Sequence, residues 1–123
     1  MIELITGKPG SGKTYLAVMR LLEVPVGKYV IYTNIKGLKP EKFAEPSMVK
    51  TIPEEDASWF TKEKQVEWSE AVREKYGRPM LVVIDEAQMI FGEKNQGYKG
   101  WLSWHRHLGQ DIWLPDNCQP LQD

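Results

Sequence analysis

The chain has 123 residues, 41% of them hydrophobic and 27% charged, with a formal net charge of −1. This composition describes one globular domain with a real core; it excludes a disordered chain and offers no overall basic footprint for nucleic acid. Cys118 is the only cysteine, so an intramolecular disulfide and a multi-cysteine zinc site are both excluded, and a reducing compartment is expected.

The first residues, Met1-Ile2-Glu3-Leu4-Ile5, carry neither a basic region nor a long apolar run, so no signal peptide is expected. Residues 2–6 read as a short buried strand ended by Gly7. A glycine-rich turn follows. Lys13 to Glu23 then spaces Leu16, Ala17, Met19, Leu21 and Leu22 as a helix does, with Pro25 and Gly27 as its stop. Tyr29 to Thr33 is β-branched and aromatic and reads as a second strand, closed by Asn34. Lys36 to Pro53, rich in Lys, Pro and Glu, reads mainly as connection, with a short helix near Glu41.

Lys62 to Tyr76 reads as a polar helix stopped by Gly77. Its Lys62, Lys64, Arg73, Lys75 and the nearby Arg78 alternate with Glu63, Glu67, Glu70 and Glu74, the pattern of a solvated face. Met80 to Ile84 is continuously apolar, as expected of a strand covered on both faces, and is far too short to cross a bilayer. Gly92 to Gly100 reads as a mobile loop, Trp101 to Leu108 as a helix and Asp111 to Leu114 as a fourth strand. Strands alternating with helices predict an α/β domain over residues 1–123, in three α/β/α layers around a mostly parallel sheet.

Two motifs carry chemistry. Gly7-Lys8-Pro9-Gly10-Ser11-Gly12-Lys13-Thr14 matches G-x-x-x-x-G-K-[ST] in the required context, after a strand and before a helix. Phosphates need many converging N–H donors. Gly7, Gly10 and Gly12 remove the side chains that would block the approach, and the helix N-terminus adds its dipole. Lys13 would neutralise the β- and γ-phosphates, and Thr14 would offer its hydroxyl to Mg²⁺. The second motif, Leu81-Val82-Val83-Ile84-Asp85-Glu86, puts two carboxylates at the end of a buried strand, the edge where open α/β sheets bind ligands. Asp85 would assist Mg²⁺ and Glu86 would polarise the attacking water. No N-K-x-D motif for guanine is present, so ATP is favoured over GTP.

Ile5 to Tyr15, Tyr32-Thr33-Asn34-Ile35-Lys36-Gly37-Leu38, Val83-Ile84-Asp85-Glu86-Ala87-Gln88 and His105-Arg106-His107 with Gly109 and Asp111-Ile112 together resemble the zonula occludens toxin family, the assembly ATPases of filamentous bacteriophages. The resemblance runs to about Trp113. It implies a phosphate-loop motor of the additional-strand, catalytic-glutamate branch, at the inner membrane, driving export of the phage particle with its single-stranded DNA. ATP and Mg²⁺ are the implied cofactors, with Gly7, Lys8, Pro9, Gly10, Ser11, Gly12, Lys13, Thr14 and Tyr15 at the nucleotide and Thr14 and Asp85 at the metal. Glu86 and Lys13 would be catalytic, and Arg106 would serve as an arginine finger in its own subunit or a neighbouring one.

The implied partners are phage coat and assembly proteins, phage DNA and further copies of the chain. The implied location is cytoplasmic, at the inner membrane face through a partner or a later segment. The chain departs from the family pattern near its end: Pro115 interrupts the last strand, Asn117 or Gln119 would stand in for the γ-phosphate sensor, and a C-terminal truncation is expected. The alternatives are a non-hydrolysing prophage remnant and a small-molecule kinase, the latter disfavoured by the absence of an arginine-rich lid.

Asn34 and Lys36 fall at the ligand edge and would shape the site. Trp101, Trp104 and Leu108 read as core or oligomer contacts. His105 and His107, two residues apart, cannot share a metal on a helix and read as capping or hydrogen-bonding groups.

Overall fold

The computed structural model describes residues 2–3, 13–85 and 98–114. In chain order these form β1 (Ile2–Glu3), α1 (Lys13–Leu22), β2 (Val30–Thr33), β3 (Val49–Thr51), α2 (Lys62–Tyr76), β4 (Met80–Val83), α3 (Tyr98–Trp104) and β5 (Asp111–Trp113). Short 3-10 turns at Pro40–Lys42, Pro46–Met48, Ala57–Phe60 and His105–Leu108 join them. The five strands lie in the order β1-β5-β4-β2-β3, and every pairing is parallel. The fold is therefore α/β with an all-parallel sheet, of the phosphate-loop type that the strand and helix pattern predicts.

Parallel strands alternate their side chains between two covered faces, and the core divides accordingly. Ile31, Leu81, Val83 and Trp113 face Ala17 and Leu21 of α1. Val30, Tyr32, Met80, Val82, Ile84, Ile112 and Leu114 face the opposite way, onto Val72 of α2, Trp101 of α3 and the buried Trp59 and Phe60. Met80 to Ile84 have no exposed surface at all, which is why this segment carries no polar alternation. Aromatic rings fill the α2–α3 side: Trp59 meets Phe60 at 5.2 Å and Trp101 at 5.9 Å between centroids, both edge-on.

Local chemistry closes both ends of α2, and its glycine stop falls where the sequence places it. Thr61 caps α2, its hydroxyl oxygen accepting from the Lys64 amide at 3.3 Å. Gly77, at φ 70°, ends the helix with its amide on the Arg73 carbonyl at 2.8 Å.

Two expectations need correction. The stretch 36–53 contains β3, which pairs with β2 along Val49–Thr51; near Glu41 there is a single 3-10 turn. The last helix begins at Tyr98, inside the segment expected to be a loop, and becomes a 3-10 turn from His105. Tyr98 and Leu102 pack on the core from α3, and that apolar contact carries the helix back past Gly100. The charged face of α2 is exposed as expected at Glu63, Lys64, Glu67, Glu70, Glu74 and Lys75, while Gln65, Ser69 and Val72 face inward. Two of the cations also bind other parts of the chain: Arg73 donates to the Leu108 carbonyl at 3.2 Å, and Arg78, just past the helix, clasps Glu45 through two bonds of 3.0 Å.

Candidate functional site

Register places the ends of the strands in one row. Thr51, Thr33, Val83, Trp113 and Glu3 are successive partners across the sheet. The chain leaves that row at Ile52, Asn34, Ile84 and Leu114, and this is the edge where an open parallel sheet presents ligands. Helix α1 connects β1 to the start of β2, so its first residues, Lys13 and Thr14, open at the same edge. The last two residues of the phosphate-loop motif are thus the first turn of a helix packed on the central strands. Gly7 to Gly12, Glu86, Asn117 and Gln119 lie outside the described residues, as does Cys118.

Asp85 lies two residues past the end of β4, directly after the buried Ile84. Two independent ladders hold it there. The Ile84 amide donates to the Trp113 carbonyl at 2.9 Å, which fixes the β5 side. On the β2 side the Asn34 side chain takes over where the backbone ladder stops: its Oδ1 accepts from the Asp85 amide at 2.6 Å, and its Nδ2 donates to the Asp85 carbonyl at 2.9 Å. A carboxamide offers a donor and an acceptor side by side, so one side chain meets both the amide and the carbonyl of Asp85, groups that in a continued parallel ladder would bond to two different residues. Asn34 is only 9% exposed. Its own backbone turns away because the Thr33 hydroxyl oxygen accepts from the Ile35 amide at 3.2 Å, a local turn that ends β2.

Beside this clamp a cleft of about 300 Å³ runs along the ends of β2 and β3, lined by Thr33, Asn34, Lys36, Gly37, Lys50, Thr51 and Glu54 among others. Lys36 stands at its rim, 3.6 Å from the Glu54 carboxylate and largely exposed, so the pairing is solvent-screened.

Arg106 is placed elsewhere. It is exposed in the 3-10 turn that leads into the start of β5, at the opposite edge of the sheet. Met80 to Asp85 spans roughly 16 Å at ~3.3 Å per residue, and the fold does not bring Arg106 to Asp85 within one chain. The segment around it has a structural explanation. Leu108 offers its carbonyl to Ser69 at 3.1 Å and to Arg73 at 3.2 Å, and Gly109 turns at φ 70° to enter β5. His105 is buried, its Nδ1 2.6 Å from the Leu102 carbonyl, while His107 stacks on Trp104 at 4.0 Å. At the same strand-start edge the Tyr29 hydroxyl donates to the Asp111 carboxylate, joining β2 to β5 beneath β4. Burial, reinforced by that bond, raises the Tyr29 hydroxyl far above the ordinary phenol range.

Sequence reasoning identified Asp85 and marked Asn34 only as an edge residue. The signal that could have found its role is a carboxamide one position past a strand whose neighbour ends in an acid.

An all-parallel three-layer sheet, with a helix opening on a phosphate-loop motif at the edge where Asp85 is clamped, defines the class: an α/β protein of the phosphate-loop type. Residues 1–116 match the family described as zonular occludens toxin (Zot). The chain is also 31% identical to assembly protein ORF301 of Pseudomonas phage Pf3, over an alignment of 121 residues that covers 91% of this chain and 34% of the relative. This chain belongs to the zonular occludens toxin family. It spans about a third of the length of that phage relative. Among the described residues no helix is long and apolar enough to cross a membrane.

Proposed function

We propose that this chain is the ATP-binding, Mg²⁺-dependent ATP-hydrolysing domain of a filamentous bacteriophage assembly and export motor. The observation that carries the reading is the shared edge: α1 opens at Lys13-Thr14 where β4 delivers Asp85. Family membership and the phage assembly relative support the setting in which the motor works.

The donor set fits Mg-ATP. Mg²⁺ takes hard oxygen ligands and is held by one or two protein oxygens together with the phosphates, so the Thr14 hydroxyl and the Asp85 carboxylate are the right chemistry. Bound Mg-ATP supplies a phosphoanhydride bond whose developing charge is partly neutralised by the metal. The chain would do the rest. The amides of Gly7 to Thr14 and the N-terminus of α1 orient the phosphates, and Lys13 balances their charge. Glu86, the next residue after the clamped Asp85, takes the proton of the attacking water as the bond to the bridging oxygen breaks. The reading gives Arg106 no part in its own chain's chemistry. Coat and assembly proteins, phage DNA and further copies of the chain are the partners such a motor engages.

Phosphate release from Mg-ATP by the purified chain, beside Glu86→Gln, tests this. Loss of a positioned general base costs ~10²–10⁴ in rate. Turnover by the intact chain with a drop of that size in the variant is the expected result. Equal rates, or no turnover by either protein, overturn the reading.

A further inference from the structure

Asn34 is a buried polar side chain at the ligand edge that no other backbone or packing role accounts for. Both of its hydrogen bonds go to one residue just past β4, 51 positions away: the backbone of Asp85, at 2.6 and 2.9 Å. They add, on the β2 side, a second hold on the peptide that follows Ile84, whose own amide bonds to Trp113 on the β5 side. A metal-assisting carboxylate must be held to within about 0.5 Å of its productive place, and residues that bond to such a group commonly matter almost as much as the group itself.

From this geometry we infer that Asn34 is a positioning residue for the metal end of the site: its carboxamide locks the Asp85 peptide and thereby helps to aim the Asp85 carboxylate at the nucleotide's Mg²⁺. The inference rests on the ATPase reading above. Asn34 itself touches neither metal nor nucleotide in this scheme. It acts through the peptide that it grips. Aspartate keeps the acceptor but loses the donor, and leucine and alanine lose both.

The test compares the intact chain with Asn34→Ala and Asn34→Asp by two measurements. Amide hydrogen exchange, without nucleotide, reads the clamp directly. The Asp85 amide of the intact chain should be protected to a degree similar to that of Ile84, which bonds to Trp113. In Asn34→Ala, Asp85 should lose at least tenfold in protection while Ile84 changes little. Steady-state hydrolysis then reads the consequence. The Mg²⁺ concentration for half-maximal turnover should rise about 10- to 100-fold, as removal of an outer partner of a metal ligand typically does, with KM for ATP at saturating Mg²⁺ within about twofold. Asn34→Asp, nearly isosteric and expected to fold if alanine does not, should keep the Asp85 amide protected through its remaining acceptor and still shift the Mg²⁺ requirement. An Asp85 amide unaffected by Asn34→Ala overturns the clamp. Lost protection with an unchanged Mg²⁺ requirement reduces Asn34 to a structural group and overturns the inference, while leaving the ATPase reading intact. An intact chain that releases no phosphate overturns the ATPase reading and the inference together.

Discussion

Gln110→Leu should be among the most destabilising single changes in this protein, although it replaces a polar residue by an apolar one in a buried place. Gln110 is 1% exposed. It accepts from the indole N–H of Trp101 at 2.7 Å and donates to Oε1 of Gln65 at 2.9 Å, while Gln65 in turn donates to the Trp59 carbonyl at 2.6 Å. Leucine leaves the Trp101 N–H and the Gln65 oxygen buried without those partners. Each stranded group costs about 1–3 kcal/mol, so the change should cost roughly 2–6 kcal/mol, a large part of a native stability that is typically only about 5–15 kcal/mol. At about 3–5 °C per kcal/mol for a chain of this size, the melting temperature should fall by roughly 6–30 °C. Urea unfolding followed by tryptophan fluorescence measures it. In a Trp101→Phe background, where the indole N–H is already gone, the same substitution should cost about 1–2 kcal/mol less. A cost below ~1 kcal/mol, or strict additivity with Trp101→Phe, would refute the claim that Gln110 satisfies these two buried groups.

Two further stability predictions accompany the tests of Glu86 and Asn34. Gly109→Ala should cost about 1–3 kcal/mol: the position has φ 70°, and a Cβ there would sit 2.7 Å from an Arg73 guanidinium nitrogen, displacing it from the Leu108 carbonyl. Denaturant midpoints of Gly109→Ala, Arg73→Met and the double variant check it, and the double should cost less than the sum. The second prediction concerns acid. The Arg78 hydrogen bonds, aided by the Gly27 amide, hold the Glu45 carboxyl below its usual range. A lowered folded-state pKa contributes stability that is present above the unfolded value, near 4.3, and is lost as pH falls through the folded one. Arg78→Met should therefore be less stable than the intact chain at pH 6, with the difference shrinking as pH drops through the glutamate range. A gap that stays constant from pH 6 to pH 2 would show the pair to be energetically silent.

The elements easiest to read were those where one physical requirement dominates. Met80 to Ile84 is buried on both faces, so its apolar run announces a central strand without help from the rest of the chain. Thr61 and Gly77 bracket α2 through local chemistry that needs no tertiary partner. Strand β3 was illegible because Val49 and Lys50 are only half-covered, Thr51 is exposed, and the strand sits at the sheet edge, where pairing with β2 supplies what local pattern does not. The core face of α2 was misleading for a related reason. Gln65 and Ser69 look solvated, yet Gln110 and the Leu108 carbonyl, about 40 residues later in the chain, satisfy them inside the protein.

The site divides along the same line. Sequence alone determined the phosphate-loop motif, the acid at the end of the central strand and the family, because each is a local run of residues whose spacing is itself the chemical requirement. Only the tertiary structure decided that Asn34 grips Asp85 and that Arg106 stands at the far edge of the sheet. The reason is that both facts depend on strand order and register. Those are set by burial on two faces of a sheet at once, and contacts between residues 51 positions apart leave no periodicity in the chain that could announce them.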